Sequence, residues 1–176
     1  MAKGQEQAAP DAVLTRIGQV VMLHHAGDRE EARRRFLDLW AEIGEHGAPL
    51  HRCTLAHYLA DTQDDPGDEL AWDLRALSAA EELTRDRPAD RREGTLAARA
   101  LYPSLHLNLA VDYERLGHRE AARVHLRRAR GAARSLAHDR YGEGVRAAIG
   151  RLELRLGGDR PDGSDGRWGP PRQQRP

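Results

Sequence analysis

The chain has 176 residues, 28 Lys+Arg against 28 Asp+Glu, with 39% hydrophobic and 32% charged residues. That length suits one domain with a modest core, and no run approaches the ~18 consecutive apolar residues of a membrane span. The single cysteine, Cys53, excludes an internal disulfide and a thiolate metal cluster.

Of the basic residues only Lys3 is lysine, which reads as the codon bias of a high-GC bacterial genome. Counts of arginine alone therefore carry no argument. Ala, Leu, Arg and Glu dominate, aromatics are 5%, and the expectation is an all-α fold. Residues 1–10 lack an apolar signal core and read as a disordered leader, so the cytoplasm is the expected compartment.

A first helix is predicted from an Asp11 cap to about Ala26, with Val13, Leu14, Ile17, Val20 and Val21 on its apolar face and Gly27 ending it. Asp28 and Glu31 have capping-box spacing for a second helix, which carries Ala32, Phe36, Leu39, Trp40 and Ile43. A third covers roughly 50–62. A fourth covers 68–83, with Leu70, Leu74 and Leu77 as its buried rung. A charged link broken by Pro88 leads to a fifth helix over 95–116, in which Pro103 should cause a kink or restart. The sixth spans 118–137. The seventh spans 142–156, with Val145, Ile149, Leu152 and Leu156 inside and Arg146 and Arg151 on the wet side. Nine of the last twenty residues are Gly or Pro, so 157–176 reads as a disordered tail in which Trp168 is the only large apolar residue.

The chain repeats itself. From Gly27 and from Gly117, an alanine follows at +5 (Ala32, Ala122), a large apolar residue at +9 (Phe36, Leu126) and a further apolar residue at +12 (Leu39, Ala129). Leu109, Ala110 and Tyr113 precede Gly117 at fixed offsets. This pattern resembles the tetratricopeptide repeat, whose ~34-residue unit pairs a Leu-Gly-x2-Tyr helix with an Ala-x3-Phe helix. The unit Pro103 to Leu136 fits position by position. The unit from Val13 matches in its second helix, and the middle unit from Pro49 has a longer turn. The resemblance implies a right-handed superhelix of three helix pairs over residues 11–156, closed by a C-terminal capping helix.

It also implies a concave groove lined by the first helix of each pair. Helical spacing there offers His24 or His25 from the first helix, Thr54, His57 and Asp61 from the third, and Ser104, Asn108, Val111 and Arg115 from the fifth. His57, Asp61, Asn108 and Arg115 are the expected polar contacts to an extended or helical segment of another protein. The alternative is that these side chains tie neighbouring helices together, as His57 and Asp61 can at i, i+4. Asn108 stands at a clamp-like place, but Thr54 and Gly18 fill the matching places, so a carboxylate clamp is not expected. His106 occupies a slot that is usually aromatic and is expected to pack inside with a hydrogen bond.

The expected function is thus a non-catalytic adaptor that binds a protein or peptide segment, as a monomer or weak homodimer. A sensor of a small ligand or signalling peptide in the same groove is the alternative. A third reading comes from charge. Residues 115–160 hold twelve arginines against five acids, and Arg119, Arg123, Arg127, Arg130 and Arg134 form one stripe of the sixth helix. No aromatics interleave it, so nucleic-acid binding is not favoured. No metal, cofactor or catalytic motif is expected: the histidines lack ligand spacing, no glycine-rich phosphate loop occurs, and Cys53, Trp40 and Trp72 read as core.

Overall fold

The computed structural model describes residues 11–85 and 92–157, and both expected tails, Trp168 and the Pro88 link lie outside the described residues. Among the described residues the chain is all-α. Its helices are α1 (Ala12–His25), α2 (Arg29–Ile43), α3 (Pro49–Ala60), α4 (Pro66–Arg85), α5 (Arg92–Arg115), α6 (Arg119–Ala132) and α7 (Arg140–Gly157), with one 3₁₀ turn at Ala133–Ser135.

Local chemistry sets the boundaries. Asp11 Oδ1 accepts from the N–H groups of Val13 and Leu14 at 2.9 and 3.1 Å, filling two orphan donors of α1. At the end of α1, Gly27 N donates to His24 O (3.0 Å) and Asp28 N to Leu23 O (3.3 Å). At the end of α5, Gly117 N donates to Glu114 O (3.0 Å) and His118 N to Tyr113 O (2.8 Å). Both are Schellman closures, and both need the left-handed backbone of Gly27 (φ 96°) and Gly117 (φ 81°). The turn between α3 and α4 is built differently. Thr62 Oγ1 and Gln63 Nε2 donate to Leu59 O, and Asp65 Oδ1 accepts from Gly67 and Asp68. The longer middle turn of the repeat is therefore a separate solution to capping the same kind of corner.

Four expectations need correction. Asp28 makes no side-chain cap, and the Glu31 carboxylate, which would complete the box, is held instead by Arg34 and Arg35 on its own helix. Pro103 does not interrupt α5, whose helix runs through it. The sixth helix stops at Ala132 and gives way to the 3₁₀ turn. Arg146 is not on the wet side: its guanidinium donates to Ala137 O at 2.9 Å and to Ala133 O and Leu136 O at 3.4 Å, covering the carbonyl end of α6 and its 3₁₀ extension.

The helices pack in chain order, each on the next, and α1, α3, α5 and α7 also touch in succession. Three cores follow. Ile17, Phe36, Leu55 and Leu59 unite α1, α2 and α3. Cys53, Ala56, Ala76, Ala79, Ala80 and Leu105 unite α3, α4 and α5, where alanines allow close approach. Ala110, Ala122, Leu126 and Ala129 unite α5 and α6 with Val145, Ile149, Leu152 and Leu156 of α7. Each buried Leu, Ile or Phe supplies about 1.5–3 kcal/mol. Trp40 of α2 and Trp72 of α4 are half-buried, pack against the first two cores as expected, and meet edge to face at 5.0 Å, joining α2 to α4. The rung expected on α4 is also altered: Leu77 is buried, Leu74 is 40% exposed, and Asp73 lies inside between them.

Candidate functional site

Asp73 leads to the most unusual group of side chains in the molecule. α3 presents His57, with Asp61 one turn on. α4 presents Glu69 and Asp73 at i, i+4. α5 presents Asn108, Asp112 and Arg115 at i, i+4, i+7. Three adjacent helices thus turn polar stripes toward one junction. His57 Nδ1 stands 3.7 Å from Asp73 Oδ1 and 3.5 Å from Asn108 Nδ2. Arg115 is ion-paired with Glu69, joining α5 to α4.

Asp73 and Asp112 are completely buried. The two carboxyls act on one another's hold on a proton. No N–H or O–H of the described residues reaches any of their four oxygens. Two bare carboxylates cannot share such a site, so the pair holds a proton between them. Burial, then the charges of Asp73 and Glu69, push Asp112 up to about 8 against the opposing pull of Arg115. Burial likewise raises Asp73 against the pull of His57. Burial alone would lower His57, but Asp73 and the charge of Asp61 outweigh it and hold the imidazole above its ordinary value. All three groups therefore hold a proton more firmly than they would in water. Its outermost member is His57, whose side chain is 14% exposed.

Of the residues expected in the groove, the structure brings together His57 and Asn108, with Asp61 close enough for its charge to act on His57. The others are used elsewhere. Thr54 Oγ1 and Ser104 Oγ donate to Leu50 O and Leu101 O of their own helices at 2.8 and 2.9 Å. Val111 packs against the α5–α6–α7 core. Arg115 is occupied by Glu69. His24 has a buried Nδ1 with no hydrogen-bond partner, and its ring lies 5.8 Å from that of His25. Asp73 and Asp112 were not expected to matter. The signal was an acid on an apolar stripe: Asp73 is three residues after Leu70 and four before Leu77, and Asp112 is three after Leu109.

Other chemistry is weaker. Cys53 is fully buried in the α3–α4–α5 core, and burial, with help from Asp73, pushes its thiol up to about 12. Among the described residues no group of three His, Cys, Asp or Glu side chains converges to hold a metal. The arginine stripe of α6 is partly structural: Arg123 and Arg119 donate to Leu156 O at 3.1 and 3.4 Å, and Arg130 pairs with Glu153.

His106 packs inside as expected, its Nδ1 3.0 Å from Nδ1 of His125, an arrangement in which one ring donates and the other must offer a bare nitrogen, so the two cannot both be charged. Burial, with His125 and Arg128 nearby, lowers His106 to about 4. The unfolded chain takes up this proton first, so the stability is complete above about pH 6.5 and is lost as pH falls toward 4. Relative to His106→Phe, the parent protein is expected to lose about 3 kcal/mol across that window in urea titrations. A parallel response of the two proteins would refute this.

No family model, no curated protein and no solved structure matches this chain.

Proposed function

We propose that the protein is a non-catalytic adaptor of tetratricopeptide-like architecture that holds a segment of another protein against the row formed by α1, α3, α5 and α7. The matched Schellman turns at Gly27 and Gly117, the matched rungs Ala32/Phe36/Leu39 and Ala122/Leu126/Ala129, and the successive contacts of the odd-numbered helices support that architecture. Helices that touch along one side of a stack curve it toward that side, which supports reading the row as an inner wall.

The observation that carries the reading is the meeting of His57 and Asn108 across α3 and α5, beside two acids that find no hydrogen-bond partner among the described residues. A core tie of that size is normally saturated. An unsaturated one on a wall facing solvent is suited to an incoming segment. The adaptor reading is preferred to nucleic-acid binding because Arg119 and Arg123 are engaged with the end of α7.

The test is affinity capture from the native cell with the parent protein and with a His57→Ala, Asn108→Ala double variant of verified helicity. The expected result is a partner recovered at least about tenfold less by the variant, equivalent to ~1.4 kcal/mol. Equal recovery of every partner would discredit the groove.

A further inference from the structure

The chain supplies arginine freely to its acids. Glu69 has Arg115, Asp64 has Arg29, Glu82 has Arg52 and Glu114 has Arg155. Against that background the Asp73–Asp112 pair stands out, since among the described residues these are the buried acids and their oxygens have no hydrogen-bond partner. The approach to it is acidic. Asp61 is exposed at the end of α3, Asp65 and Asp68 are exposed on the following turn, and no basic residue lies between Asp61 and Asp73 in the sequence. Asp73 Oδ1 lies 3.7 Å from His57 Nδ1, His57 Nδ1 lies 3.5 Å from Asn108 Nδ2, and the His57 side chain is partly exposed where the Asp73 side chain is not.

We infer that the Asp73–Asp112 pair is a receptor for one cationic side chain, an arginine or lysine, carried by the segment that occupies the groove; the inference rests on the adaptor reading above. Entry requires the His57 ring to swing aside, a single side-chain rotation on an already partly exposed residue. A guanidinium brings five donors in a fixed fork, and an ammonium brings three, to four oxygens that lack any. In the empty protein the shared proton substitutes for the guest. Binding releases that proton to solvent, and any proton on His57, which Asp73 and Asp61 favour, opposes entry. The charged or titratable groups that act on the pair and on His57 are Asp61 from α3, Glu69 from α4 and Arg115 from α5, and Glu69 and Arg115 neutralise each other. Affinity therefore rises with pH.

The test uses acetylated, amidated, fluorescein-labelled heptapeptides of alanine and leucine with a central arginine, lysine or citrulline, titrated into the full chain. The arginine peptide is expected to saturate, with the neutral citrulline peptide at least about tenfold weaker. The arginine peptide should also bind about tenfold more tightly near pH 8.5 than near pH 6. Calorimetry in two buffers of different ionisation heat should show proton release near pH 7. Asp112→Asn, which keeps the fold, should erase the preference for arginine over citrulline. A lysine peptide that binds as the citrulline peptide does restricts the guest to guanidinium. Equal binding of arginine and citrulline peptides, absence of binding by either, or a preference that survives Asp112→Asn would overturn the inference. If those peptides fail while the His57→Ala, Asn108→Ala variant still loses its captured partner, the groove stands and the cation receptor falls.

Discussion

Asp112→Asn is expected to stabilise the protein at alkaline pH by roughly 3 kcal/mol, although it removes a buried side-chain oxygen from the centre of the molecule. Burial and the neighbouring charges of Asp73 and Glu69 raise Asp112 from 3.8 to about 8 in the folded chain. Between those values the folded state keeps a proton that the unfolded state has released. The slope of stability with pH is then negative, at up to about 1.4 kcal/mol per unit. The contribution is complete below about pH 4 and is lost as pH rises through about 8. His57, also raised, adds to the loss when its own proton leaves. An asparagine carries its N–H donors at every pH and can donate to Asp73, so the variant escapes this part of the alkaline decline. Urea unfolding near pH 6 and near pH 9 measures it: the parent should lose stability across the interval, and the variant should lose clearly less. Identical alkaline losses would mean that the pair does not share a proton. Asp73→Asn should help less, because it also takes away the carboxylate that faces His57.

The helices were readable because their signals are local. Asp11 caps α1, Gly27 and Gly117 close α1 and α5, and the +5/+9/+12 rung buries Ala32, Phe36 and Leu39 as it does Ala122, Leu126 and Ala129. The face of α7 was equally plain, since Val145, Ile149, Leu152 and Leu156 repeat at helical spacing and all are buried. What failed depended on partners distant in sequence. Glu31 had the right spacing for a capping box, but two arginines on its own helix compete for it. Arg146 looked wet because nothing in its own helix shows that the carbonyls of Ala133, Leu136 and Ala137 end beside it. At the site, His57 and Asn108 were found because both sit on stripes of odd-numbered helices. Asp73 and Asp112 were passed over because a periodic pattern invites an acid on the apolar face to be read as noise. Leu74 was taken for the rung that Asp73 occupies. In a chain this rich in arginine, an acid that keeps an apolar position and draws no arginine is itself the signal.

Phe36→Ala should cost about 3–5 kcal/mol, and the loss should be local. Phe36 is fully buried and stacks on Tyr58 of α3 with ring centroids 6.1 Å apart, so it is the main joint between the first hairpin and the rest. The first hairpin is held chiefly by α3, with Trp72 of α4 touching it at Trp40, whereas the hairpin of α5 and α6 is flanked by α4 and α7. In a stack whose units hold one another only through adjacent interfaces, weakening an end unit releases that unit first. Hydrogen exchange of Phe36→Ala should show α1 and α2 losing protection while the amides of α5, α6 and α7 exchange as in the parent. Leu126→Ala, at the equivalent rung position, removes a side chain from the core shared by α5, α6 and α7 and should cost about 2–5 kcal/mol. Its loss should spread through those three helices and leave α1 and α2 protected. If either variant lowered protection evenly from α1 to α7, the molecule would be one cooperative bundle. The successive contacts of the odd-numbered helices would then not be the joints of a linear stack, and an inner wall built from them would lose its physical basis.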